Sequence, residues 1–269
     1  MPGNLYKMFS RISPKIKSIY LKHWYQFLAR VYQRNDWKFM NYGYAPLADQ
    51  TGNIYLDKTD EDNRFCIQLY DHVASAVDLR DLEVLEVGSG RGGGADYIER
   101  YLKPEKMVGL DLSKNAVIFC NKIYVNNGLS FKAGNAESLP YPDNSFDIVI
   151  NVESSHCYGS MDAFLGQVKR VLRDGGYFLF ADFRRKETIP DLRENLKKSG
   201  LSLIKETDIT PNIIRALQLD NKRRTTLIKE NIHKSLVGLF LQFAGAKGSN
   251  IYERFNSGKT MYLNFVLQK

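Results

Sequence analysis

The sequence predicts a doubly wound α/β protein built on a mostly parallel, seven-stranded sheet, and three observations carry that expectation. From residue 82 onward, short apolar runs alternate with segments of helical periodicity, the pattern of a parallel sheet covered on both faces. The stretch Val84-Leu-Glu-Val-Gly-Ser-Gly-Arg-Gly-Gly-Gly-Ala95 runs a strand into a helix through a glycine turn. The next apolar run, Met107-Val-Gly-Leu-Asp, ends on an acid, Asp111, 19 residues after Gly92.

Strands are expected near 83–88, 107–111, 129–133, 147–152, 176–183, 202–209 and 260–267, with helices between the first six. The clearest of these helices, 161–172, carries Phe164, Leu165, Val168, Val171 and Leu172 on one face, and Asp174-Gly-Gly ends it. Ahead of the alternating region, Ser13 caps a helix with Pro14 at its first position. Its apolar face is Ile16, Ile19, Tyr20, His23, Trp24, Phe27, Leu28, Val31 and Tyr32, and Lys15, Lys17, Lys22, Arg30 and Arg34 fill the rest. Two readings of helix 13–34 stand: a cap packed on the domain, or a helix that touches a membrane surface or an amphiphilic substrate. Before the last strand, Ile228, Ile232, Leu236, Leu239, Phe240 and Phe243 share a helical face. An insertion there stands over the carboxyl ends of the strands, where open α/β sheets bind ligands. The expected organisation is therefore amino-terminal cap helices and lid (1–80), cofactor-binding core (81–210), helical substrate-cap insertion (211–255) and last strand (256–269).

A chain of 269 residues with 43% hydrophobic content can bury one large core. Cys66, Cys120 and Cys157 have neither paired nor metal-type spacing, and no signal peptide opens the chain, so a cytoplasmic protein with free thiols and no metal site is expected. No apolar run approaches the roughly 20 residues that span a bilayer. The net charge of +8 is uneven: residues 1–38 and 211–269 each carry +7, which leaves the middle at −6. A duplex-binding protein more usually surrounds its active-site mouth with positive charge. The expected partner is accordingly a small apolar molecule and not a nucleic acid; oligomeric state is not legible.

A glycine turn before a helix brings backbone N–H groups against a ligand, and an acid about 20 residues on can accept both ribose hydroxyls, so this is a nucleoside-cofactor site. The glycines alone leave its identity open. Gly88, Gly90 and Gly93 satisfy the dinucleotide pattern G-x-G-x-x-G, while Gly88, Gly90 and Gly92 satisfy the G-x-G-x-G of enzymes that use S-adenosylmethionine. Glu86 tips the balance, because a carboxylate at the mouth of the first strand repels a pyrophosphate and suits a sulfonium cofactor with an amino-acid tail. The segment Gly134-Asn-Ala-Glu-Ser-Leu-Pro-Tyr-Pro-Asp-Asn-Ser-Phe-Asp147 followed by Ile-Val-Ile resembles the third and fourth cofactor motifs of class I methyltransferases, and seven strands with a terminal hairpin is the order of that class. The resemblance implies cofactor contacts from Glu86, Gly88, Gly90, Gly92, Asp111, Leu112, Asn135, Ala136 and Asn151. Asn135 stands where these enzymes usually carry Asp, whose carboxylate accepts from the adenine amino group; an Asn carbonyl can accept the same bond without charge. The Ala136 N–H would meet the adenine ring, and Arg91 reads as a surface side chain.

Beyond the fourth strand comes Asn151-Val-Glu-Ser-Ser-His156-Cys-Tyr158. A His at the carboxyl end of that strand, with an ordinary pKa near 6.5, suits a general base. Asp182, ending Tyr177-Phe-Leu-Phe-Ala-Asp, is placed to orient that imidazole. His23, His72 and His233 read as core or surface residues, and Cys157 is a nucleophile in principle that methyl transfer does not need. Together with Phe39-Met-Asn-Tyr-Gly-Tyr44, Asp62-Asn-Arg-Phe-Cys-Ile-Gln-Leu-Tyr70 and Gly175-Gly-Tyr-Phe-Leu-Phe-Ala-Asp182, these segments resemble the phthiotriolone methyltransferases, which O-methylate a secondary hydroxyl of a long-chain lipid. More distantly the chain is similar to sugar O-methyltransferases, in which a loop His and a strand-end Asp form the catalytic pair; that pair maps onto His156 and Asp182. The resemblance implies an S-adenosylmethionine-dependent O-methyltransferase acting on a hydroxyl of a bulky apolar natural product or lipid. Methylation of a polyketide or terpenoid carbon is the alternative within enzymes. An NAD(P)-dependent oxidoreductase fits the glycines but leaves Glu86 and Gly134–Asp147 unexplained.

Overall fold

The computed structural model describes residues 37–48, 54–125 and 128–269, so the helix expected at 13–34 lies outside the described residues. Seven strands form one sheet: β1 (Glu83–Val87), β2 (Lys106–Asp111), β3 (Leu129–Ala133), β4 (Phe146–Val152), β5 (Leu172–Arg185), β6 (Ser202–Asp208) and β7 (Thr260–Gln268). Their order is β3-β2-β1-β4-β5-β7-β6. All pairings from β3 to β5 are parallel, and β7 runs antiparallel between β5 and β6. The chain reverses its direction of travel across the sheet between β1 and β4, so the crevice at the carboxyl ends of those two strands is the topological switch point.

Buried parallel strands alternate side chains between two covered faces. On one face Val84, Met107, Ile148, Ile150, Leu179 and Ala181 join the core beneath α1 (Arg64–Ala74), α2 (Gly93–Tyr97) and α3 (Lys114–Ile123). On the other, Leu85, Val87, Val149, Phe178 and Phe180 pack with α4 (Met161–Val171) and α5 (Ile189–Lys198). Ser113 and Ser160 cap α3 and α4 by accepting from Ala116 N (3.3 Å) and Ala163 N (3.1 Å).

Four local expectations are corrected. No helix joins β3 to β4; residues 134–145 form turns, because Pro140 and Pro142 remove backbone donors from the segment. Helix α4 stops at Val171, before Asp174-Gly-Gly, since Leu172 is fully buried and already pairs with Phe146 as the first residue of β5. The helical face drawn through Ile228–Phe243 belongs to two helices, α7 (Asn221–Asn231) and α8 (Lys234–Phe243), which follow α6 (Thr210–Leu219) and precede α9 (Asn250–Asn256). His233 caps the second of them by accepting from Ser235 N; Ile228, Ile232 and Phe240 form a small core of their own, while Leu239 and Phe243 are exposed. Arg91 is buried, its guanidinium stacked 4.2 Å from the Phe119 ring and its Nε donating to the Trp37 carbonyl.

The insertion is tied to the strap of residues 41–45. Buried Arg224 of α7 donates to the carbonyls of Asn41 (3.2 Å) and Tyr42 (2.8 Å) and pairs with Asp220 (2.8 Å). On α6, Asn212 donates to Ala45 O (3.0 Å) and its carbonyl accepts from Ala45 N (3.2 Å). Removing the buried guanidinium strands two carbonyls and one partner of Asp220, so Arg224→Ala is expected to cost about 3 kcal/mol, read as a lowered urea midpoint at unchanged slope. A midpoint within 0.3 M of wild type, roughly the scatter of such measurements, would remove Arg224 as the tie.

Candidate active site

The glycine turn is shaped by its backbone. Gly88, Gly90 and Gly92 all have positive φ (82°, 54° and 79°), a region side chains rarely adopt. At Gly88 a Cβ would stand 2.2 Å from Ser154 Oγ, so the segment after β4 lies directly on the first glycine. At Gly90 a Cβ would meet nothing within 4 Å: the turn is open there, on the side where a ligand must approach. Gly90 N donates to Asp111 Oδ2 (2.9 Å) and Ser113 N to Oδ1 (2.8 Å), which fixes the half-buried carboxylate at the tip of β2. Burial raises the Asp111 pKa against these two bonds. Leu112 beside it is 43% exposed, an uncovered apolar side chain at the crevice edge.

Glu86 is fully buried beneath the turn. Tyr70 OH donates to its Oε1 (2.7 Å), while Oε2 is buried with no hydrogen-bond partner among the described residues. Burial, with Asp111 nearby, pushes its carboxyl up to about 7 against the Tyr70 bond. Asn135 is exposed, its Oδ1 accepting from Glu137 N (3.1 Å), and Ala136 is buried next to it. Asn151 is fully buried and works as a cross-brace: its Nδ2 lies 2.8 Å from Val87 O, 2.7 Å from Ser154 Oγ and 3.0 Å from Tyr158 OH. It binds the end of β4 to the end of β1, and its Oδ1 is buried with no hydrogen-bond partner among the described residues.

These residues fit S-adenosylmethionine on two observations of the structure: the open cradle at Gly90 and the orphaned buried oxygen of Glu86. Asp111, Leu112 and Ala136 would hold it; the turn's own amides are committed within the protein, Gly88 N and Ser89 N to Leu110 O (2.7 and 3.0 Å), Gly90 N to Asp111 and Gly92 N to Ser89 O (2.9 Å).

His156 and Asp182 are brought together. The His156 Nδ1 is 2.8 Å from Asp182 Oδ1, and the ring packs 4.3 Å from the Phe183 ring. Asp182 is fully buried and accepts also from Ser155 Oγ (2.6 Å), His156 N (2.9 Å) and Phe183 N (2.8 Å), with Arg184 Nη1 at 3.0 Å. Burial opposes its ionisation, but His156, Arg184 and these bonds win and hold it well below the usual carboxylate range. The ionised Asp182 keeps the proton on Nδ1 and leaves Nε2 uncommitted to that pair. Burial alone would lower His156; Cys157 and Asp182 beside it outweigh burial and raise it above the ordinary histidine value. A cavity of about 320 Å³ opens beside His156, with walls from Ser155, Tyr158, Met161, Arg184 and Leu192.

The sequence reading missed Tyr70, Ser155, Arg184 and above all Glu153. Glu153 follows β4 with φ 48°, and its Oε1 accepts from Tyr42 N (2.8 Å) across 111 residues of chain. Its signal was present inside the Asn151–Tyr158 run, but only the backbone conformation sets it apart from its neighbours. His72 stacks on Tyr44 (ring centroids 4.4 Å apart), and Cys66 and Cys120 are buried free thiols.

Sheet order, switch-point crevice and open glycine turn define a class I methyltransferase that uses S-adenosylmethionine. Comparison with known proteins agrees: residues 85–180 match the family described as Methyltransferase domain. The chain is 36% identical to the fatty-acid O-methyltransferase of Mycolicibacterium smegmatis over 96% of its own length and 93% of that protein. It is 34% identical to the phthiotriol/phenolphthiotriol dimycocerosates methyltransferase of Mycobacterium tuberculosis over 92% and 91%. The chain belongs to the methyltransferase family that contains these two enzymes. Among solved structures, the cyclopropane synthase MmaA2 from Mycobacterium tuberculosis (TM-score 0.69, 15% identity, 90% of this chain and 93% of that one) shares the fold. So does geranyl diphosphate C-methyltransferase from Streptomyces coelicolor A3(2) (TM-score 0.63, 16% identity, 91% and 98%).

Asp111→Ala is expected to weaken S-adenosylmethionine binding by about 1–3 kcal/mol, the cost of charge-assisted hydrogen bonds, measured calorimetrically, with nicotinamide dinucleotides giving no heat on the wild type. An unchanged affinity would take Asp111 out of the site.

Proposed function

We propose that the enzyme methylates a hydroxyl of a long, apolar lipid or polyketide-derived acceptor. The observation that carries this reading is the His156–Asp182 pair, an imidazole held through Nδ1 at the carboxyl edge of β4 and β5. The names of the two mycobacterial relatives, both lipid methyltransferases, support the acceptor class.

When bound, S-adenosylmethionine supplies an electrophilic methyl group. The protein has to align an acceptor oxygen with it and remove the hydroxyl proton. Alignment by itself can contribute several kcal/mol of barrier reduction. His156 is the proposed base, and Asp182 fixes its tautomer and stabilises its charged form. The strap 41–45 and the insertion 211–255 form the proposed cap that excludes water and selects the acceptor.

A second reading has an observation of its own. The environment that raises His156 keeps it charged at neutral pH, and an imidazolium suits a fatty carboxylate, which is already ionised and needs no base. The pH dependence separates the two. With a long-chain secondary alcohol as acceptor, turnover should rise with pH, because only neutral His156 accepts a proton, and the rise should lie above the ordinary histidine value of about 6.5. Asp182→Asn removes the anion that holds the imidazolium, so the rise moves to lower pH. His156→Ala should keep cofactor affinity and lose ~10²–10⁴-fold in turnover. Turnover of a long-chain fatty acid that falls over the same pH range in the wild type would favour the carboxylate acceptor.

A further inference from the structure

The helical insertion carries an exposed surface of mixed chemistry. Helix α7 runs antiparallel to α8, since the chain after α8 returns to the start of α7, where Lys247 N donates to Asn221 Oδ1 (2.8 Å). One side of α8 places Phe240 in the small core with Ile228, Ile232 and Trp37. The other side faces outward: Ser235, Leu239 and Phe243 recur every four residues, Lys234, Gly238 and Gln242 form the row beside them, and all six are exposed. A surface helix ordinarily keeps its apolar residues to the side that meets the core. Here Leu239 is 42% and Phe243 45% exposed on the outer side of a helix that already has an inner core. Positive charge borders this ridge. Residues 220–247 hold six Lys/Arg and two acids, and one of those acids, Asp220, is taken up by Arg223 and Arg224. Lys222 and Lys247 at one end of the helix pair, and Lys229 and Lys234 at the other, are exposed and form no ion pair among the described residues. That leaves Glu230 as the one acid of the stretch set against four lysines.

We propose that the outer face of α8 docks on an anionic lipid bilayer, with Leu239 and Phe243 entering the headgroup layer and Lys222, Lys229, Lys234 and Lys247 set against the lipid phosphates. Apolar side chains bordered by lysines are what an interfacial helix requires. The lysine stems can lie along the ridge while their ammonium groups stay in water. None of the described helices is long and apolar enough to cross a membrane, so the contact is with its surface. Charge complementarity decides between occupants. A second copy laid on this face by two-fold symmetry brings the four lysines against themselves. The chain's own residues 1–38 carry +7, again the same sign. A nucleic acid answers the lysines but leaves Leu239 and Phe243 without an apolar partner, whereas an anionic lipid interface answers both. Position adds a functional reason. Arg224 of α7 holds the strap, and Tyr42 N of the strap reaches Glu153 at the end of β4, so the insertion stands at the carboxyl edge where the crevice opens. A docked enzyme takes a long-chain acceptor from the bilayer without bringing the whole chain through water. The surface serves a hydroxyl and a carboxylate acceptor alike.

The test is cosedimentation of the full-length protein with vesicles of equal parts phosphatidylcholine and phosphatidylglycerol, and with vesicles of phosphatidylcholine alone. Wild type should bind the anionic vesicles much more tightly and lose most of that binding in about 0.5 M salt, where screening shortens the reach of the lysines to a few ångströms. Leu239→Ser and Phe243→Ser should each lower the partition coefficient roughly tenfold, the scale of one apolar side chain partly buried in lipid. Each of the four lysines changed to Gln should lower it about fivefold. All variants should keep the wild-type melting temperature and affinity for S-adenosylmethionine, which separates lost docking from a lost fold or a damaged cofactor site. Where Phe243→Ser does not fold, the lysine variants decide. Wild type that binds neither vesicle, binds both equally, or binds no better than its variants would overturn the proposal. So would three other results: a dimer that Phe243→Ser dissociates, which gives the face to a second copy; a melting temperature lowered by Leu239→Ser with no vesicle binding, which gives it to the chain's own packing; and lysine-dependent binding of duplex DNA with no vesicle binding, which gives it to a nucleic acid. Failure of the wild type to bind S-adenosylmethionine would instead sink the methyltransferase reading and leave the docking surface standing.

Discussion

The active-site edge of the sheet depends on one buried anion. Asp182 lies at the end of β5 with no exposed surface, and a carboxylate in that position is tolerated only if charge and lone pairs are both answered. Arg184 and His156 answer the charge, and Ser155 Oγ with the N–H groups of His156 and Phe183 answer the lone pairs. Three of these donors come from the turn at Ser155–Cys157, so the same contacts that make Asp182 affordable pin that turn against β5. The loop that bears the proposed base is thereby as rigid as the strand beneath it, which a catalytic group on a surface loop would otherwise lack.

Three carboxyl groups stand in a row along this edge, and their environments divide them. Asp182, flanked by two cations, is a permanent anion. Glu86 and Glu153, buried or half-buried with no ion pair to Lys or Arg among the described residues, are pushed up to about 7 and about 8. S-adenosylmethionine carries a sulfonium and an ammonium against one carboxylate of its own and so is net positive, whereas a dinucleotide is net negative. Protonation of these two groups avoids the cost of burying uncompensated carboxylates. The fit between protein and cofactor is therefore electrostatic as well as steric, and it separates a sulfonium ligand from a dinucleotide, whose pyrophosphate would add negative charge to an edge already carrying Asp111 and Asp182.

The strands and the glycine turn were legible because they follow from strong local rules. A strand covered on both faces must be an apolar run, and only glycine holds the conformations of the turn after β1. What failed was whatever depends on distant partners. Arg91 reads as a surface residue until Phe119 and the Trp37 carbonyl are seen around it. The helical face from Ile228 to Phe243 is continuous in period but broken in space at His233, which caps a helix without the Ser, Asp or Asn that usually signals one. The segment between β3 and β4 was assigned a helix by analogy with its neighbours, against its own two prolines. Asn151 and Asn135 stand at the expected strand ends, and what the sequence does not show is their partners: Val87 O for the one and Glu137 N for the other. Glu153 lies inside the Asn151–Tyr158 run without standing out from it, because its partner, Tyr42, is 111 residues away.

That long-range partnership also joins the strap to the edge of the sheet that bears Asp182. Arg224 and Asn212 hold the strap through its backbone carbonyls and N–H groups, so the insertion grips the strap without reading its side chains. Side chains in the strap and insertion can change without loosening the grip, provided the guanidinium and the amide remain. The strap in turn delivers the Tyr42 N–H to Glu153, again a backbone group. Insertion and sheet edge are thus joined through main-chain groups on both sides of the strap, a linkage that does not depend on the strap's side chains.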